Sequence, residues 1–164
     1  RACRAALARL AARRRPYQSS ERMNTNAVPV FFSGLFMAES LLASKGLCPT
    51  ESTIGYVDGF GLHIGNRATL LPEANSRAYG VLMKIASDDL EVLYSESSVS
   101  DYVAESVVVT RPGNTQVSAV CYNLPAAKLT GANPEYAAAL LTLATSLGLP
   151  DSYLGQIRSA IADP

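Results

Sequence analysis

The run VPVFFSGLFM, from Val28 to Met37, constrains this chain more than any other stretch. Val28 to Phe32 reads as a buried strand. Ser33-Gly34 lets the backbone turn sharply, and from Phe36 to Lys45 helical spacing takes over. A strand that stops at a small residue and a glycine, then enters a helix, leaves backbone N–H groups facing open space. An anionic or carbonyl-bearing ligand can sit there. Ordinary strand–helix connections share the pattern, so the rest of the chain has to decide.

With 164 residues, 48% of them hydrophobic, the chain has material for one domain with a real core. The formal net charge of zero conceals a split. Residues 1–22 carry seven Arg against one Glu, and the remainder has seven basic and thirteen acidic residues, a net of −6. An acidic body speaks against nucleic acid as partner. The Ala/Arg-rich residues 1–22 read as a non-structural extension or an organelle-targeting segment ahead of a domain spanning 23–164. No stretch reaches the roughly 18 apolar residues of a membrane span, so no membrane partner is expected. Cys3, Cys48 and Cys121 are odd in number and widely spaced. They make neither a CxxC pair nor a disulfide framework, which fits a reducing, cytoplasmic setting.

Along the chain, a helix from Ala38 to Lys45 stops at Gly46. Gly55 to Ile64 reads as a strand, Gly65-Asn66 as a tight turn, and Arg67 to Leu71 as the hairpin partner. Pro72 and Asn75 mark another turn before a strand from Arg77 to Ile85. Ser87-Asp88-Asp89 opens a short helix that ends near Tyr94. A polar segment, Ser95 to Asp101, leads into a Val-rich strand from Tyr102 to Thr110. Pro112-Gly113-Asn114 turns the chain into a last strand from Val117 to Tyr122. In the tail, Tyr136, Leu140, Leu143, Ala144 and Leu147 share one helical face, and Gly148 and Pro150 end that helix before a final one over Ser152 to Ile161. The order of elements indicates an α+β fold: a mostly antiparallel sheet that can close into a small β-barrel with flanking helices.

Several constellations fail. Gly59-Phe60-Gly61 has the wrong spacing to Gly65 for a dinucleotide fingerprint, and a strand follows it. His63, the one histidine, sits in an alternating strand with no evident partner, and no GxSxG elbow accompanies it. No Cys/His/Asp cluster has metal-ligand spacing. What survives is Glu96, a single acid in a Ser-rich loop just before a strand. It reads as a solvated loop residue or as an acid/base group. A carboxylate held at the mouth of an apolar barrel can act as general base and acid.

In four places, in order, the chain resembles the gamma-glutamylcyclotransferase-like family: VFFSGLFM, YGVLMKI from Tyr79, LEVLYSES from Leu90 leading to Tyr102, and NPEYAAALLTLATSLGLPDSYLGQI from Asn133. The resemblance covers about Val28 to Ile157 and implies a small barrel. It also implies a γ-glutamyl small-molecule substrate, cyclised by its own α-amine to 5-oxoproline with release of the attached amine, and no metal or organic cofactor. The turn Ser33, Gly34, Leu35, Phe36 and Met37 would hold the substrate, with Tyr102, Tyr122 and Tyr136 lining its pocket. Glu96 would be the catalytic acid/base.

The chain departs from that pattern twice. Where the family has Tyr-Gly-Ser-Asn, this chain has Ser33-Gly34-Leu35-Phe36. At the family's glutamate position stands Ser97, with Glu96 one place earlier. These departures leave open a non-catalytic barrel that binds a ligand or a protein, and an enzyme for a more apolar substrate. The oligomeric state is not legible in the sequence.

Overall fold

The computed structural model describes residues 27–97 and 99–162. The expectations for residues 1–22 and for Cys3 lie outside the described residues. Strand β1 (Ala27–Phe32) leads into a 3₁₀ turn (Leu35–Met37) and a short helix α1 (Glu39–Ser44). Two long strands follow, β2 (Thr50–Ile64) and β3 (Ala68–Ala86), and then helix α2 (Ser87–Ser95). Strands β4 (Val103–Arg111) and β5 (Thr115–Asn123) precede a second 3₁₀ turn (Ala126–Lys128) and the helices α3 (Pro134–Leu147) and α4 (Asp151–Ala162).

The sheet closes into a barrel in the order β1-β3-β2-β4-β5. Its one parallel junction, β1 with β5, pairs Val30 with Val120 and Phe31 with Cys121. That junction begins immediately after Pro29, which has no N–H to offer a ladder. Flanked by β3 and β5, β1 is covered on both faces along its second half, which is why it reads as continuously apolar.

Alternation along the strands sorts side chains into two cores. Phe31, Val57, Leu82, Val109 and Ala119 belong to the cluster that fills the barrel. Val30, Phe32, Val81, Met83 and Ile85 face outward and pack with Leu140, Ala144, Tyr153 and Ile157 of the two C-terminal helices. Gly80 makes the barrel filling possible. A Cβ there would lie 2.2 Å from the Phe32 carbonyl oxygen and 2.7 Å from the Phe31 ring.

The structure corrects several sequence expectations. Arg67 to Leu71 and Arg77 to Ile85 are parts of one strand, because Pro72 does not turn the chain but registers with Phe60 of β2. The ladder breaks there and resumes at Asp58 with Arg77, so residues 73–76 bulge out opposite Gly59. Asn75, with φ 64°, marks that bulge. β2 itself starts five residues early, at Thr50. The expected single helix after the Ser33-Gly34 turn is divided into the 3₁₀ turn and α1, since Ala38 between them is extended. The β4–β5 connection is the expected turn, with Gly113 and Asn114 both at positive φ.

Helix α3 starts on a strong local signal. The Asn133 side chain caps it by accepting from the Tyr136 N–H at 3.1 Å, and Pro134 occupies the first turn. It ends at Gly148 in the left-handed conformation, φ 77°. Leu140, at the middle of its buried face, is fully buried. Leu140→Ala should lower unfolding free energy in urea by about 2–5 kcal/mol, the usual cost of emptying such a site. A neutral effect would mean that α3 is not anchored through this side chain.

Candidate active site

At the end of β1 the chain leaves the barrel wall, and a cavity of about 260 Å³ opens beside it. Several segments converge there. The Phe32 to Phe36 turn forms one side. The β2–β3 loop contributes Asn66, Arg67 and Ala68, and the residues around α2 and β4 contribute Tyr94, Val99 and Tyr102. Leu41 of α1, Tyr122 at the end of β5, and Asn133 and Tyr136 at the start of α3 also line it.

The β2–β3 loop is held in place from outside the hairpin. The Asn66 N–H donates to the Thr130 carbonyl at 2.7 Å, and the Asn133 amide donates to the Asn66 carbonyl at 3.3 Å. The approach is close enough that a Cβ on Gly65 would lie 2.9 Å from the Thr130 carbonyl oxygen. The start of β3 is tied to the end of β5 by buried polar groups. The Thr69 hydroxyl donates to the Leu124 carbonyl at 3.0 Å and accepts from the Leu124 N–H at 2.8 Å, while Asn123 Oδ1 accepts from the Leu70 N–H at 3.2 Å. These bonds set the spacing between Arg67 and Tyr122.

The tyrosines form a connected wall. Tyr94 stacks on Tyr122 with ring centroids 3.8 Å apart and planes 11° from parallel. Phe36 meets Phe32 and Tyr94 edge-on, at 5.9 and 6.2 Å. The Tyr102 hydroxyl donates to the Ala68 carbonyl at 2.9 Å. Burial pushes the phenols of Tyr94, Tyr102, Tyr122 and Tyr136 above their ordinary values. At neutral pH they are therefore uncharged hydrogen-bonding groups. Arg67, which lines the same cavity, opposes that rise at Tyr102 and Tyr136 through its positive charge. Behind this wall, burial and then Glu105 push the Cys121 thiol up to about 12, which favours its protonated form at neutral pH.

Of the residues singled out in the sequence, Ser33, Gly34, Leu35, Phe36, Tyr102, Tyr122 and Tyr136 are brought to this one cavity. Met37 is not, because the 3₁₀ turn rotates its side chain into the core, where it is 2% exposed. Nor does the Glu96 carboxylate line it. Glu96 follows the last turn of α2, and its Oε2 is 2.9 Å from Lys45 Nζ, at the end of α1. The backbone turn is also less open than expected. Backbone groups of Leu35 and Ala68 hydrogen-bond the Tyr136 hydroxyl, which is where a Cβ on Gly34 would come to within 2.8 Å. His63, expected to be partnerless, has its Nε2 4.0 Å from Glu73 Oε2.

Sequence reasoning missed Arg67, Tyr94, Asn66 and Asn133. Among the described residues lining the cavity, Arg67 is the only charged one. It has no ion pair with any described carboxylate. Its position directly after the Gly65-Asn66 turn was a usable signal, since a hairpin tip can be aimed by whatever it docks against.

Fold and site together define a small closed barrel with a ligand-sized, tyrosine-lined cavity at one end. Residues 77–157 match the model of the AIG2-like family. Among curated proteins none matches the chain in sequence. The chain is similar in structure to a gamma-glutamyl cyclotransferase at 18% identity, with a TM-score of 0.66 over 81% of this chain and 87% of that one. An uncharacterised human protein, loc79017, is similar at 18% identity, with a TM-score of 0.65 over 82% of this chain and 88% of the other. YkqA from Bacillus subtilis, 16% identical, gives a TM-score of 0.68 over 86% of this chain and 56% of its own length. The chain thus shares its fold with that gamma-glutamyl cyclotransferase, and its residues 77–157 carry the AIG2-like match.

The buried Thr69 bonds generate a prediction. Thr69→Val keeps the shape and leaves both the Leu124 N–H and its carbonyl without their partner. Stability in chemical denaturation should fall by about 1–3 kcal/mol. An unchanged midpoint would show that these groups find other partners and that the hydroxyl does not tie the two strands.

Proposed function

We propose that the cavity binds a compact anionic amide of the γ-glutamyl class. The observation that carries this reading is Arg67, a partly buried guanidinium in a lining that otherwise has no charge among the described residues. A partly buried cation without a counter-ion gains from a ligand that supplies one, and the guanidinium fork suits a carboxylate. The hydroxyls of Tyr102 and Tyr136 in the same lining, with Ser33 and the backbone of Gly34 to Phe36, can hydrogen-bond the ligand's amide and amine. Leu35 and Tyr122 give it apolar contact. The cavity volume suits a compact molecule, being at or below the lower end of pockets that hold drug-sized ligands, about 300 Å³. Similarity in fold to a protein described as a gamma-glutamyl cyclotransferase supports the same class.

Calorimetric titration with a γ-glutamyl amide tests the reading. Arg67→Met keeps the length of the side chain and removes its charge, and affinity should fall about 10- to 100-fold, the equivalent of one charge-assisted hydrogen bond. Equal affinity in wild type and variant would remove Arg67 from the site.

A second reading adds chemistry: the bound ligand cyclises. The α-ammonium first gives one proton to the base, and the freed amine nitrogen attacks the γ-carbonyl carbon. The bond from that carbon to the leaving nitrogen breaks, and that nitrogen takes up both the proton held by the base and the second proton lost by the attacking nitrogen, departing as an ammonium. The nucleophile is tethered, so orientation supplies much of the rate. Glu96 is the acid/base group in this reading. The observation that favours it is the nature of Glu96's partner. The pair with Lys45 is solvent-accessible, with side chains 42% and 29% exposed respectively, and such pairs contribute only about 0–1 kcal/mol. Re-aiming the loop carboxylate toward the ligand therefore costs little. Release of 5-oxoproline from a panel of γ-glutamyl amides should drop roughly 10²–10⁴-fold in Glu96→Gln. Binding without any release by the wild type would assign the chain to the non-catalytic, ligand-binding alternative.

A further inference from the structure

Resting on the proposed binding of a γ-glutamyl-type amide, we infer that the amine-derived part of the ligand is apolar and uncharged, a branched alkyl or aromatic group seated against Phe36, Leu41, Tyr94 and Val99. The cavity is divided by chemistry. Five of its polar residues, Asn66, Arg67, Asn133, Tyr102 and Tyr136, are tied together through the β2–β3 loop, the Ala68 backbone and the start of α3, while Ser33, Tyr94 and Tyr122 add single hydroxyls elsewhere in the lining. The other part of the wall is built around the edge-on contacts of Phe36 with Phe32 and Tyr94. It adds Leu41 from α1 and Val99 from the loop after α2, neither of which carries a side-chain donor or acceptor.

Leu35, Phe36, Leu41 and Val99 are all partly exposed at this cavity, whereas Val30, Leu42 and Leu140 of the core are fully buried. Clustered, half-covered apolar side chains facing a ligand-sized space are what an apolar ligand group covers. The charge inventory points the same way. One guanidinium can meet one carboxylate, and no acidic side chain among the described lining residues is present to meet a distal ammonium. A ligand with a charged amine-derived part would lose hydration at that end and meet no carboxylate in the described lining, so the wall favours an apolar group over it.

Three γ-glutamyl amides separate the possibilities: the methylamide, the isoamylamide and the 4-aminobutylamide, each titrated calorimetrically into the full chain. The isoamylamide should bind about 10- to 30-fold more tightly than the methylamide, as expected when roughly half of the surface of four added carbons is buried. The 4-aminobutylamide should bind no more tightly than the methylamide. Leu41→Ser should compress the isoamyl-to-methyl ratio to below about 5-fold by removing part of the wall, and Val99→Ser serves the same purpose if the first variant does not fold. Equal affinities for the isoamylamide and the methylamide, or tightest binding of the 4-aminobutylamide, would overturn the apolar subsite while leaving the Arg67 site standing. Failure of all three to bind the wild type would overturn the γ-glutamyl reading itself and this inference with it.

Discussion

Closure of the barrel through β1 is the constraint on which the rest of the molecule depends. β1 is hydrogen-bonded to β3 on one side and to β5 on the other, and the second of these is the parallel junction that completes the ring. Phe31 projects inward from this strand into the space left by Gly80, while Val30 and Phe32 project outward beneath the C-terminal helices. One six-residue strand thus joins both cores. The cavity begins where this strand ends, so its position is set by a segment whose neighbours hold it on every side.

The polar end of the cavity depends on a different set of contacts. Arg67 sits at a hairpin tip that would be free to move if β2 and β3 were its only supports. Docking of Asn66 on Thr130 and Asn133, together with the Thr69–Leu124 bonds, turns the tip into a fixed part of the cavity wall. The cap residue of α3 takes part in this docking, and three residues on the same helix supplies Tyr136. A local capping preference therefore has a consequence at long range: it presents one tyrosine to Arg67 and to the turn after β1 together.

Much of the fold was legible because hydrophobic period and turn chemistry acted locally. The buried run before Ser33, the Val-rich strand before Pro112 and the amphipathic helix ended by Gly148 are each specified by their own residues. Pro72 and Asn75 misled for the same reason. Their local preference is for a turn, but β2 runs alongside and recovers the ladder beyond them, so the preference is spent on a bulge. Met37 shares the turn with Leu35 and Phe36, and only the pitch of a 3₁₀ turn separates the side chain that enters the core from those that face the cavity. Glu96 was found as an isolated loop acid, but its direction depends on Lys45, more than fifty residues upstream, and no local pattern records that.

By itself the sequence determined the kinds of segment and their order, because apolar alternation, helix caps and positive-φ turns act over a few residues. It also determined that Ser33 to Phe36 and the tyrosines near Tyr102, Tyr122 and Tyr136 merit attention. Only the tertiary structure decided that those residues share one cavity with Arg67 as the sole charge among the described lining residues, and that the Glu96 carboxylate lies outside the lining. The reason is physical: charge and aromatic contact act through space. Which residues meet in space depends on barrel closure and on the docking of one hairpin tip, and both are long-range events.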